Sequence, residues 1–310
     1  LHRQLFKTLN TIKMKYIITG STGHISKPLT EKLVAAGNQV TVISSSDSKN
    51  AEIKAIGATA AIGSIEDRDF LTKAFAGADA VYLMIPPKWT VTDWMAYQKI
   101  VADNYIAAVK ANNIKYVLIL SSVGAHMGQG CGPVDGTSYL EREAAKLTGS
   151  NVLALRPSYF FYNLLSQVGM IKHAGFVGST QPADFKLVLT HPSDIADAAA
   201  AELLTPSFTG HGYKNIASDD SNTWAQITKA LGTAIGKPEL PYVELTDEQS
   251  RQGMLQAGLS QTIIDGYVDM GKALREGKMQ SDFWANPPKT LGKVKLADFV
   301  KEFAAAYNAS

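Results

Sequence analysis

From Met14 onward, short apolar runs alternate with longer stretches in which apolar residues recur every three to four positions. That is the pattern of strands and amphipathic helices taken in turn. Strands are predicted at Lys15–Thr19, Gln39–Ser44, Ala58–Ile62, Ala80–Ile85, Tyr116–Ser121 and Val152–Leu155. The runs are nearly continuous in apolar residues, as in a parallel sheet covered by helices on both faces. Between the fourth and fifth, Trp94, Tyr97, Val101, Tyr105 and Ala108 keep helical spacing. Six strands joined by crossovers predict an α/β, Rossmann-type doubly wound parallel sheet, whose ligand crevice opens at the carboxyl ends of the first and fourth strands. After Arg156 the alternation lapses. A strand at Tyr213–Ala217 and a helix from Asn222 to Ile235 predict a smaller C-terminal α+β lobe. The chain is thus expected to divide into an NAD(P)-binding domain over 14–156 and a substrate lobe over 157–310, packed closely together.

Composition narrows the class further. Hydrophobic residues make up 45% and charged residues 19%, the mixture of an ordinary globular protein. No apolar run approaches the ~18 residues that a membrane span needs. The net charge of +2 is carried by Arg3, Lys7 and Lys13 ahead of Met14, so the remainder is close to neutral and a nucleic-acid surface is not expected. The first thirteen residues, basic and free of acids, read as a non-native or disordered extension. Cys131 is the single cysteine, which leaves no intrachain disulfide and no thiolate cluster for a metal, and which fits a reducing, cytoplasmic setting.

The run Thr19, Gly20, Ser21, Thr22, Gly23, His24, Ile25, Ser26 follows the first strand and opens a helix expected to end near Gly37. Gly20 allows the tight turn, and Gly23 lets the backbone approach a pyrophosphate held on the helix N-terminus. Ser26 stands where a third glycine would give close packing. The second strand ends in Ser44, Ser45, Ser46, Asp47, Ser48, Lys49. An NAD site usually places an acid at this tip, and such an acid repels a 2′-phosphate. Ser45, Ser46 and Lys49 therefore favour NADP(H) over NAD(H), with Asp47 read as a helix N-cap rather than a ribose ligand.

These motifs, with Leu83–Pro87, Leu120–Ala125, Leu155–Asn163 and the late Leu291, Gly292, Lys293, resemble the NmrA-like group of atypical short-chain dehydrogenases across nearly the whole chain from Met14. The resemblance implies further cofactor contacts from Ser64, Ile85, Pro86, Pro87, Ser121, Ser122, Ser138, Tyr159 and Phe160. It also implies activities that include NADPH-dependent quinone reduction, isoflavone-type reduction and cofactor sensing without turnover. Two positions depart from the pattern. Ser64 replaces the acid that usually meets adenine, and Ser138 aligns with a lysine of many members.

Ordinary short-chain dehydrogenases set a lysine four residues after a tyrosine to lower the phenol pKa. No tyrosine here has that partner; after Tyr139 the position holds Glu143, which would raise it instead. Hydride addition to a quinone survives this loss, because the delocalised oxyanion needs little acid help. Trp89, Trp94 and Phe161 are the candidate acceptor walls, with His126 and Asn163 as polar contacts, while Tyr139 and His126 are weak catalytic candidates. The reading is an NADPH-dependent oxidoreductase, monomer or homodimer, acting on a quinone-like small molecule. A non-catalytic, redox-sensing NADP(H)-binding regulator is the alternative.

Overall fold

The computed structural model describes residues 13–310; the extension expected over the first thirteen residues lies outside them except for Lys13. The chain runs β1 Lys15–Ile18, α1 Ser26–Ala35, β2 Gln39–Ser44, α2 Asn50–Ala55, β3 Thr59–Ile62, α3 Arg68–Ala74, β4 Ala80–Leu83, α4 Trp94–Ala111, β5 Tyr116–Leu120, α5 Val134–Ala144 and β6 Asn151–Pro157. There follow β7 Tyr159–Phe160, α6 Gln167–Ala174, β8 Val177–Ser179, β9 Lys186–Thr190, α7 Pro192–Leu204, β10 His211–Ile216, β11 Asp219–Thr223, α8 Trp224–Ala234, β12 Tyr242–Glu244, α9 Asp247–Gln256, α10 Gln261–Arg275, α11 Ser281–Ala285 and α12 Leu296–Ala309.

Seven strands form one parallel sheet in the order β10-β6-β5-β4-β1-β2-β3. β1 lies between β4 and β2, with Ile17 opposite Val81 and Thr41. The order reverses at β1 and β4, which creates the crevice that the strand pattern predicts. On one face α1 packs on α7, with Leu29, Leu33, Ile195 and Leu203 fully buried. On the other, α3, α4 and α5 pack side by side over Val81, Val117 and Ile119. α4 buries Trp94, Tyr97, Val101, Tyr105 and Ala108, the residues whose spacing predicts it.

The strand expected in the second lobe belongs to the large sheet: β10 pairs in parallel with β6, Tyr213 opposite Ala154. Its flanks look irregular in sequence because β10 is an edge strand with only Asn215 fully buried. The sheet therefore takes in α7 and β10 from beyond Arg156. The rest of the C-terminal region carries two small sheets, β11-β9-β7 and β12-β8, around a core of Phe161, Trp224, Phe299 and Phe303. Asp194 lies inside the first turn of α7, and His191 is the cap, accepting from Ser193 N. Asp194 instead accepts from Ser218 Oγ at 2.6 Å and from the amides of Lys293 and Val294 at 3.0 and 3.1 Å. A Cβ on Gly292 would lie 2.4 Å from its carboxylate, so glycine is needed for that approach.

Candidate active site

The phosphate turn is built as the glycine spacing predicts, with one difference. α1 starts at Ser26, not directly after Gly23, and spans ten residues. Gly20 and Ser21 both have positive φ, +90° and +55°, and they turn the chain through an extra loop before the helix can begin. A Cβ on Gly20 would meet Ser26 Oγ at 2.6 Å and the Met84 side chain at 3.0 Å. Ser26 is buried and donates to Thr19 O at 2.8 Å, stitching the helix start to the strand end where a third glycine would otherwise pack. Within the turn, Gly23 N donates to Gly20 O and Ser21 N to Ile43 O. The amides of Thr22, His24 and Ile25 have no acceptor among the described residues. Free amides at a helix N-terminus fit the pyrophosphate of a dinucleotide.

The tip of β2 is more crowded than its sequence suggests. Ser45, Ser46 and Asp47 are exposed, and Ser44 is buried and bonded to Ser21 Oγ at 3.0 Å. Asp47 does not cap α2; it sits in a short 3-10 turn whose preceding residue is Ser46. Lys49 pairs with Glu52 at 2.9 Å. The same carboxylate takes Lys27 at 3.0 Å and Thr22 Oγ1 at 2.9 Å. The hydrogen bonds from Lys49, then Lys27, then Thr22 hold Glu52 down at about 2. Ser64 is exposed past β3, where its hydroxyl accepts from Glu66 N at 3.1 Å, and so faces the loop rather than a buried site.

Past the strand ends lies a cavity of about 360 Å³. Ile85 and Pro87 form one side of it, Ser121 and Ser122 the floor after β5, and Tyr159 and Phe160 a third side. Trp89 and Trp94 stand over it as the sequence predicts, their rings 5.5 Å apart. Tyr267 of α10 completes the wall, stacked on Trp89 at 6.1 Å and 18°. The Tyr267 phenol is pushed up to about 12 by burial, which weakens it as an acid and leaves its ring as the main contribution to the wall. Asn163 reaches the same cavity. α4 opens at this rim because Asp93 caps it, accepting from Ala96 N at 2.9 Å. Trp94 is the first residue of that helix and is buried.

Phe161, Pro86, His126, Tyr139 and Ser138, all predicted at the site, stay away from the cavity. Phe161 is fully buried and stacked on Phe299 with centroids 4.9 Å apart, because the chain after β7 tucks into a 3-10 turn beneath α12. Pro86 lines no part of it and instead accepts from Tyr97 OH at 3.1 Å. His126 is exposed against Ser281 Oγ, 3.0 Å away. Tyr139 points between α5 and α4, donating to Asp103 at 2.9 Å. That bond, burial and the Asp103 charge raise its phenol to about 12, and Glu143, the neighbour singled out from spacing, acts less strongly. Ser138 is also outside: it is buried, donates to Ala125 O at 2.7 Å and accepts from Arg142.

A buried ionic network that spacing does not reveal lies behind the floor. Ser121 Oγ donates to Glu141 Oε1. Arg156 grips the same carboxylate with both Nε, 3.0 Å from Oε1, and Nη2, 2.5 Å from Oε2. Its Nη1 reaches Asp282 at 3.3 Å, and its guanidinium covers the Tyr213 ring at 3.9 Å. Ser158, after β6, lines the cavity with its buried Oγ unpartnered among the described residues, and so does Trp94 with its indole N–H.

Residues 20–151 match a family model described as NAD(P)H-binding. A reductase from Streptomyces griseus, (4-alkanoyl-5-oxo-2,5-dihydrofuran-3-yl)methyl phosphate reductase, is 22% identical over 86% of this chain and 89% of its own length. Among solved structures, a nucleoside-diphosphate-sugar epimerase from Staphylococcus aureus superposes with a TM-score of 0.76 at 16% identity, covering 93% of this chain and 100% of that one. An NADPH-dependent quinone oxidoreductase from Escherichia coli, in complex with NADPH, gives 0.72 at 23% identity over 93% and 99%. The likeness to these structures establishes the fold.

Proposed function

We propose, from the premise that residues 20–151 form an NAD(P)H-binding domain in an atypical short-chain dehydrogenase fold, that the protein is an NADPH-dependent reductase of a quinone or similar electron-poor carbonyl compound. The observation that carries this reading is the cavity at the ends of β4, β5 and β6, walled by Trp89, Trp94 and Tyr267. Flat aromatic walls hold a flat acceptor, and positioning alone supplies a large part of a hydride-transfer barrier. The turn from Gly20 to Ile25 would hold the pyrophosphate on its free amides, while Ile85, Pro87, Ser121 and Ser122 would bound the nicotinamide end. Bound there, the reduced cofactor supplies a hydride, so that NADPH, quinone and one proton give NADP⁺ and hydroquinone.

Among the residues lining this cavity there is neither a lysine nor a histidine. A tyrosine with a lysine four residues on, the arrangement on which epimerase chemistry of the dehydrogenase type rests, is missing from the sequence. This favours reduction over epimerisation despite the epimerase neighbour. The Streptomyces griseus relative and the Escherichia coli neighbour are both named for reducing carbonyl compounds, which supports the same class.

We assign preference for NADPH to the serine-rich tip of β2 together with Lys49 and Lys27, the two cations gathered by Glu52 beside Thr22. The test is titration with NADPH and NADH. At least several-fold tighter binding of NADPH supports the assignment, and equal or reversed affinity contradicts it.

A further inference from the structure

Glu141 is gripped by Arg156 through both oxygens, and the side chains are only 14% and 9% exposed. A carboxylate held in this fork accepts and does not donate. Ser121, 4% exposed, must therefore spend its one proton on Glu141, and what it offers the cavity is a lone pair. Ser158 differs. It follows β6, the strand that pairs with β5 next to Ser121, is 4% exposed, and its hydroxyl has no partner among the described residues. A buried hydroxyl left unpaired costs free energy that a ligand can recover. The floor thus carries an obligatory acceptor at Ser121 and, just past the end of the neighbouring strand β6, a buried hydroxyl at Ser158 whose proton has no acceptor among the described residues.

We infer that the cavity selects electron-poor carbonyl compounds that carry a hydrogen-bond donor, hydroxyl or amino, on the carbon next to the carbonyl: the donor meets Ser121 and the carbonyl oxygen meets Ser158. Glu141 and Arg156 are positioning residues that fix the polarity of Ser121. This rests on the reductase reading and names its substrate class. A plain quinone brings only acceptors to the floor, and two acceptors facing each other in a dry site leave both unpaired.

The test compares two isosteres, 2-amino-1,4-naphthoquinone and 2-methyl-1,4-naphthoquinone, by calorimetric titration of the protein saturated with NADP⁺, so that nothing is reduced. The amino compound is expected to bind about tenfold more tightly, the difference set by one satisfied buried hydrogen bond. Ser121→Ala should bring the two affinities together. Ser158→Ala should weaken both compounds alike and keep the ratio, and melting curves confirm that each variant is folded. Equal affinities in the wild type, a ratio that persists in Ser121→Ala, or binding of neither compound would overturn the inference. NADPH oxidation with the same quinones tests the reductase reading separately: a tenfold affinity ratio without turnover keeps the recognition and removes the reductase.

Discussion

Gly23 carries no left-handed strain; the atom nearest to an added Cβ is Gly20 O at 3.1 Å. Glycine there spares a tight contact with the turn's own backbone and leaves room for a group approaching from outside, which is how a pyrophosphate site is made. Gly23→Val should fold and lose NADPH binding, and retained affinity in fluorescence titration would count against the turn as the cofactor site. Tyr139 and Trp89 divide the mechanism at the same scale. With its phenol raised to about 12, bonded to Asp103 and outside the cavity, Tyr139 is a poor proton donor to the acceptor, so Tyr139→Phe should keep most quinone kcat/KM. Trp89→Ala should lower it more, because the acceptor loses a flat contact and its alignment. A thousandfold loss in Tyr139→Phe, within the ~10²- to 10⁴-fold range of acid–base catalysis, would reverse that order. The glycines were legible because their constraint is local. Glu141 was not: its partners Ser121 and Arg156, and Asp282 on the far side of Arg156, come from three separate elements, and no spacing along the chain records their meeting.

At the scale of elements, helices and strands of the large sheet follow from apolar runs, since burial on both faces leaves a strong signal. The strand expected at Tyr213–Ala217 does form, as β10, but its place in the large sheet was not legible because its side chains are largely exposed. Tyr267, Met270 and Leu274 of α10, which close the cavity, have the spacing of any amphipathic helix, so nothing in the pattern distinguishes a pocket wall from core. Phe161 shows the converse: an aromatic in a suggestive run that is core alone. Phe161→Ala should destabilise the protein by about 3–5 kcal/mol in denaturant unfolding, as for a large cavity in a packed cluster. A loss of activity with unchanged stability would restore its role at the acceptor. α4 links cap to site. Removing the Asp93 cap with Asp93→Ala should cost about 1 kcal/mol and, by fraying the turn that carries Trp94, raise KM for the quinone more than it lowers kcat.

For the whole molecule, the large sheet and the C-terminal region share the cavity between them, since its lining runs from Met84 after β4 to Gln280 before α11. Cys131 lies close to this junction, 1% exposed, its thiol pushed up to about 12 by burial and by Asp135. Alkylation by iodoacetamide near neutral pH should therefore be slow in the folded protein and fast in denaturant; fast labelling of the native state would show that this region opens. No helix among the described residues is long and apolar enough to cross a membrane. Cofactor binding should stabilise the body as a unit, by about 2.7 kcal/mol at a hundredfold excess over Kd, and NADPH should raise the melting temperature more than NADH at equal concentration.

The proposed function is reduction of an electron-poor carbonyl compound in the aromatic cavity, with a dinucleotide held on the turn at Gly20–Ile25. Its most direct test is steady-state loss of NADPH absorbance with a panel of quinones, run on the wild type and on Trp89→Ala with cofactor binding confirmed in both. Quinone-dependent NADPH oxidation should saturate with quinone and fall in Trp89→Ala while NADPH affinity holds. Tight NADPH binding with no oxidation above the enzyme-free rate, across the whole panel, would contradict it.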